Sequence, residues 1–223
     1  MNGEVDETAA SAWWSRVGLT LVCLLSLGLI TTTNGMWYSV AQKFAPAVAW
    51  LAGTCVASLV VCVAVYLGIR PAKPFAMPRP DTDWRGVFRL SGIWLAVWLL
   101  ASIARAAQLG HWIAYAHGAV AVGAFLIFGP LQEELLFRGA IFELVKRAFP
   151  SSRALMPILI SSVFFSLHHF ELHHYRATPA ALLQVGFTFP MGIVFGTLRS
   201  ESGSLWPALV LHFFTNLPGC FGL

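Results

Sequence analysis

The sequence predicts an all-α fold: a polytopic membrane helix bundle of seven transmembrane helices, or eight if one long apolar run crosses twice. Three observations carry this. The 223 residues are 57% hydrophobic and only 11% charged, with a mean hydropathy of +0.71, whereas a soluble domain carries about 25% charged and 45–50% apolar residues. Apolar runs near the length of about 20 residues needed to cross a bilayer recur along the chain. Lys and Arg collect between those runs, as topology determinants do. The net charge of +4 is therefore read as headgroup and topology charge, and nucleic acid is not expected as a partner.

The elements follow in order. Met1 to Trp14 holds Glu4, Asp6 and Glu7 and no basic n-region, so the first span is expected to be a retained anchor rather than a cleaved signal. The first two spans are Val17–Met36 and Ala45–Leu67. A proline-rich loop, 70–89, carries Arg70, Lys73, Arg79, Arg85 and Arg89 against Asp81 and Asp83. By the positive-inside rule it is cytoplasmic. A third span runs from Leu90 to Ala106, and residues 1–110 together form an N-terminal membrane part. The second part, 111–223, opens with an apolar run from His111 to Phe149. As a straight helix that run would extend about 58 Å, too far for one crossing, and Gly129-Pro130 offers a break. Crossing once gives seven spans with every basic loop on the cytoplasmic side; crossing twice gives eight. After Lys146, Arg147 and Arg153 come spans Ala154–Phe170, Ala180–Leu198 and Leu205–Leu217, with a polar patch, Glu171–Thr178, between the first two. Cys23, Cys55, Cys62 and Cys220 form no CxxC pair and are read as packing residues.

Polar residues inside such runs mark function, because a centrally placed Asp, Arg or Lys costs about 2.5–3.5 kcal/mol on insertion scales. Three groups stand out. In Gln132-Glu133-Glu134-Leu135-Leu136-Phe137-Arg138, Glu134 and Arg138 are four apart on one helical face and can pair. Glu133 is turned about 100° away and stays free for other work. The second group, Phe165-Ser166-Leu167-His168-His169, ends its span. Glu133 lies 14 residues before Arg147 and His169 lies 16 after Arg153. In an antiparallel hairpin both would sit about 21–24 Å from the turn, at matched depth. The third group, His212 and Asn216, again shares one face and offers hydrogen-bond donors. A free carboxylate and an imidazole can deprotonate water, and a His/Asn pair can hold an oxyanion. The inventory suits amide hydrolysis by activated water, with no serine nucleophile. Each group also has a structural reading: an ion pair between helices, a packed histidine, or interhelical hydrogen bonds.

The three groups resemble the signature of the CAAX-protease and bacteriocin-processing (Rce1-like or Abi) family of intramembrane proteases. Its motifs EExxxR, FxxxH and HxxxN/D appear as Glu133-Glu134…Arg138, Phe165…His169 and His212…Asn216. Phe164…His168 also fits the second motif, but Ser161-Ser162 favours the Phe165/His169 register. The resemblance covers roughly residues 125–218 and implies that 111–223 is a catalytic helix bundle. It implies Glu133 as the base that activates water, assisted by His169, with Glu134, Arg138 and Phe165 supporting the site and His212 with Asn216 forming the oxyanion pocket. The family is often labelled metal-dependent, and Glu133, His169 and His212 would be the zinc set. HExxH is absent, and His169-Phe170-Glu171-Leu172-His173 places its glutamate at the wrong offset. A metal-free mechanism is therefore expected. His168, His173 and His174 are read as an interfacial patch rather than an accessory metal site.

No GxSG or GxGD motif is present. The competing class is a non-catalytic membrane protein, either a bacteriocin-immunity factor or a transporter using these residues as a proton relay; the transporter lacks the expected repeat symmetry. The expected partners are the lipid bilayer and a membrane-anchored or lipid-modified protein substrate, cut near a CAAX tail, a bacteriocin precursor or a C-terminal sorting signal. A multi-pass protein of the bacterial inner membrane is expected. If the 146–153 loop is cytoplasmic, the site lies in the outer half of the bilayer, which favours a membrane-embedded or extracytoplasmic tail.

Overall fold

The computed structural model describes residues 75–110, 122–152, 154–170 and 176–220. Every regular element among them is helical. Helix α1 is Trp84–Leu109. A continuous helical run then alternates two geometries: a π segment Ala124–Phe128, α2 Gly129–Glu133, a second π segment Glu134–Ile141, and α3 Phe142–Ala148. After a 3₁₀ turn, Pro150–Ser152, come α4 Leu155–His168, α5 Pro179–Ser202 and α6 Trp206–Asn216. The first two expected spans, Val17–Met36 and Ala45–Leu67, lie outside the described residues.

Helix α1 starts inside the segment expected to be loop. The Asp83 carboxylate accepts the Gly86 N–H at 3.1 Å and caps the first turn. Arg85 and Arg89 are exposed on that turn, so their charges, which suggested a loop, are compatible with a helix whose basic side chains reach outward. The helix ends at Gly110, whose φ of 72° is the left-handed stop glycine adopts without strain. Thr178 caps α5 by accepting the Ala181 N–H, with Pro179 in the first turn. By length and composition, α1 (26 residues) and α5 (24 residues) can each cross a membrane, and α4 is a shorter apolar helix.

The expected break at Gly129-Pro130 is absent: the chain continues as helix through it. An interior proline removes one hydrogen bond and crowds the preceding turn. Here Pro130 opens a new α segment directly after a π segment, whose wider turn relieves the crowding. The irregularity at Gly129-Pro130 is a change of helical pitch rather than an interruption of the helix.

Helix α5 is the central post. Its partner α4 runs antiparallel to it: the Ser166 hydroxyl donates to Val185 O, Gly192 faces Ser162, and Gly196 faces Ile158. A Cβ at Gly192 would stand 2.9 Å from the Ser162 Cα, so only glycine allows this approach. The second π segment and α3 run alongside α5 in the same direction, with Arg138 at Gly192 and Glu143 at Arg199. Helix α1 closes one side, where the Trp94 indole donates to Thr215 Oγ1 at 3.3 Å and its ring meets Phe187.

At one end, residues 75–82 strap across the turn between α5 and α6. Arg79 N–H donates to Ser202 O, and its guanidinium donates to Ser200 O and Glu201 O at 2.9 and 2.7 Å. A cation thus covers the C-terminal carbonyls of α5, where the helix dipole is negative. The end of α3, with Lys146 and Arg147, arrives at this same end beside the start of α4.

Candidate active site

The run from Glu133 to Arg138 changes from α to π geometry between its two glutamates. Both carboxylates then face one imidazole of α6. His212 Nδ1 lies 2.9 Å from Glu134 Oε1, and His212 Nε2 lies 3.6 Å from Glu133 Oε2. A carboxylate only accepts, so Nδ1 carries a proton and donates to Glu134. At 3.6 Å the second contact is electrostatic rather than a hydrogen bond. The phase argument from sequence separated the two glutamates; His212, standing between them, brings both to one ring.

The two carboxylates differ in access. The Glu134 side chain is 1% exposed and that of Glu133 23% exposed, so only Glu133 can meet a molecule arriving from outside. Glu134 Oε1 also accepts from Arg138 Nη1 at 3.1 Å. Arg138, fully buried, donates again to Gly192 O at 3.3 Å. Its guanidinium carbon sits 4.1 Å from the Phe165 ring centre and 5.2 Å from that of Phe195. Two acceptors and two aromatic faces offset the removal of this cation from water. Glu133 Oε2 is buried and, among the described residues, receives no hydrogen bond.

Phe165, itself without exposure, is the ring about which these groups are arranged. His169 meets it edge-on at 4.9 Å and His212 edge-on at 6.1 Å, so the two imidazoles flank one phenyl ring. His169 Nδ1 lies 2.8 Å from Phe165 O. A carbonyl only accepts, so Nδ1 holds the proton and, in the neutral ring, Nε2 keeps its lone pair for use as a base. The His168 ring is tilted against that of Phe137, with centroids 5.6 Å apart. Sequence reasoning placed His168 in an interfacial patch with His173 and His174, which lie outside the described residues; its ring packs against Phe137 and lies 6.0 Å from that of His169.

Asn216, one turn beyond His212, donates from Nδ2 to Phe125 O at 3.0 Å. That carbonyl belongs to the first π segment, so Asn216 ties α6 to the run carrying Glu133. The amide has a second N–H not spent on this bond. The sequence reading also passed over Arg199 and Glu143, which pair at 2.7 Å with side chains 6% and 15% exposed. The signal was present: both are charges at the margins of apolar runs, subject to the same cost that singled out Glu133.

Among the described residues, no three His, Cys, Asp or Glu side chains gather closely enough to hold a metal ion. An open apolar groove of about 550 Å³ lies between the helical run that precedes Glu133 and α6, and none of the site's polar side chains lines it. Leu126, Leu131, Val210 and Phe213 line it, and Phe75 and Trp206 stand at the strap end.

A comparison with protein families matches residues 115–218 to type II CAAX prenyl endopeptidase Rce1-like. No curated protein and no solved structure matches the chain. The matched segment contains all three polar groups, and with two helices long and apolar enough to cross a bilayer it marks a membrane protein.

Proposed function

We propose that this chain is a glutamate-dependent intramembrane endopeptidase; the match of residues 115–218 to type II CAAX prenyl endopeptidase Rce1-like supports a peptidase. Its substrate is a membrane-anchored or lipid-modified protein, cut near its C-terminus or membrane segment. One observation carries the reading. Of two adjacent carboxylates, Glu134 is sealed against Arg138 and His212, while the Glu133 side chain is 23% exposed; one oxygen of each is buried without a hydrogen bond among the described residues, so access is what separates them. The first supports the site and the second is its base.

Glu133 takes a proton from a water molecule, and the water oxygen attacks the scissile carbonyl carbon. His169, with a lone pair on Nε2, orients that water. The carbonyl oxygen gains negative charge as the tetrahedral intermediate forms. The unspent N–H of Asn216 donates to it, and His212 does so from Nε2 when that nitrogen carries a proton. Collapse breaks the C–N bond, and Glu133 returns its proton to the leaving amine. The carboxylates and imidazoles suffice for these steps, so no metal is assigned a role. The apolar groove supports a substrate that brings a hydrocarbon surface with it. The basic segments at one end of the bundle support a cytoplasmic placement of that end in a bacterial inner membrane.

The reading is tested with purified protein in lipid nanodiscs and a synthetic peptide ending in a farnesyl-cysteine CAAX tail, beside an unprenylated apolar tail peptide. Cleavage of either, retained after exhaustive dialysis against a chelator, is the expected result. Cleavage abolished by chelation and restored by zinc would overturn the metal-free mechanism. No cleavage of either would contradict the substrate assignment.

A further inference from the structure

We infer that Arg199 is a positioning residue for this site, acting on Glu134 and His212 through the backbone of Arg138; this rests on the peptidase reading above. Arg199 lies on α5, outside all three motifs. Its Nε donates to Arg138 O at 3.3 Å while its Nη2 donates to Glu143 Oε1 at 2.7 Å. Its guanidinium carbon also lies 5.8 Å from the Phe142 ring centre. The two anchoring points straddle the junction where the second π segment gives way to α3, at which Phe142 N–H still reaches back five residues to Phe137 O.

That placement has a consequence for the helix. π geometry is rare and persists where the surroundings over-determine it. Shifting the segment to uniform α geometry would turn Arg138 relative to Glu143, and one rigid, planar guanidinium could no longer hold both. Arg199 therefore gauges the offset between Arg138 and Glu143 and selects the π form. The same residue, Arg138, holds Glu134, and Glu134 holds His212 Nδ1. The chain of contacts Glu143–Arg199–Arg138–Glu134–His212 thus runs from the end of α3 to the imidazole that faces Glu133. Arginine is required because lysine, with a single ammonium, can keep the ion pair but cannot also present the second, fixed N–H.

The test uses the full chain in nanodiscs, with Arg199→Lys, the paired Arg199→Met/Glu143→Met, and Glu133→Gln as a control on the peptidase reading. Cleavage of the farnesylated peptide is followed together with ¹⁵N-histidine NMR of the His212 ring. Arg199→Lys is expected to lower kcat at least tenfold with KM within twofold of wild type, and to move the His212 Nδ1 resonance. The paired variant, in which no charge is left unbalanced, is expected to behave the same way. Wild-type kcat and an unmoved His212 resonance in either folded variant would overturn the proposal and leave the pair as charge balance. If Glu133→Gln cleaves like wild type, the peptidase reading fails instead, and the His212 resonance still decides the role of Arg199.

Discussion

Arg138 is where the chemistry of single residues is most concentrated. It is a cation without exposure, held by one carboxylate, one backbone carbonyl and the face of Phe165. Removing one member of a buried ion pair leaves the other uncompensated, at about 3–5 kcal/mol. Arg138→Met is therefore expected to lower stability by about that amount and to abolish cleavage, measured by denaturation in detergent beside the peptide assay; a stable, active Arg138→Met would contradict it. This pair was legible in the sequence, because four-residue spacing survives the change from α to π pitch well enough for the side chains to meet. The engagement of His212 by both glutamates was not legible. It depends on where α6 crosses the run, which local periodicity does not encode. The choice between His168 and His169 was open for a related reason: both flank the end of one helix, and tertiary placement decides what each ring meets.

At the scale of elements, the site depends on the pitch of one helical run and the closeness of two neighbours. Gly192 allows α5 to approach α4 so nearly that its carbonyl becomes a ligand of Arg138. Gly192→Ala places a methyl 2.9 Å from the Ser162 backbone, which must shift. Overpacking of this kind costs about 1–3 kcal/mol. The variant is expected to lose thermal stability in that range and to lose activity beyond what stability explains, because the Arg138 contact is displaced with the helix. Wild-type activity with lowered stability would separate packing from the site. Helices α4, α5 and α6 were legible from apolar length to within a few residues. The π segments were not, since apolar runs look alike at either pitch; Gly129-Pro130 marked the place of an irregularity but not that it is a change of pitch.

For the whole molecule, direction matters most. Residues 75–82 are bound to the end of α5, and Glu143 on α3 is bound to Arg199 near that same end. The strap and the turn after α3 therefore lie at one end of the bundle. Single cysteines placed at Asp81 and Ser151, in a background free of the native cysteines, are expected to react with a membrane-impermeant maleimide from the same side. Labelling from opposite sides would contradict this arrangement. Charge patterning offered this arrangement as one of two: a single crossing of the 111–149 run puts both basic loops on one side, and a double crossing puts them on opposite sides.

The central claim is that Glu133 takes the proton from the attacking water. A positioned general base contributes about 10²–10⁴ in rate. Glu133→Gln keeps the size and polarity of the side chain and removes its charge and its capacity as a base. Its kcat on a cleaved peptide is therefore expected to fall by about that factor, with a melting temperature close to that of the parent chain. A folded Glu133→Gln protein that turns over within a factor of about two of the parent would contradict the account.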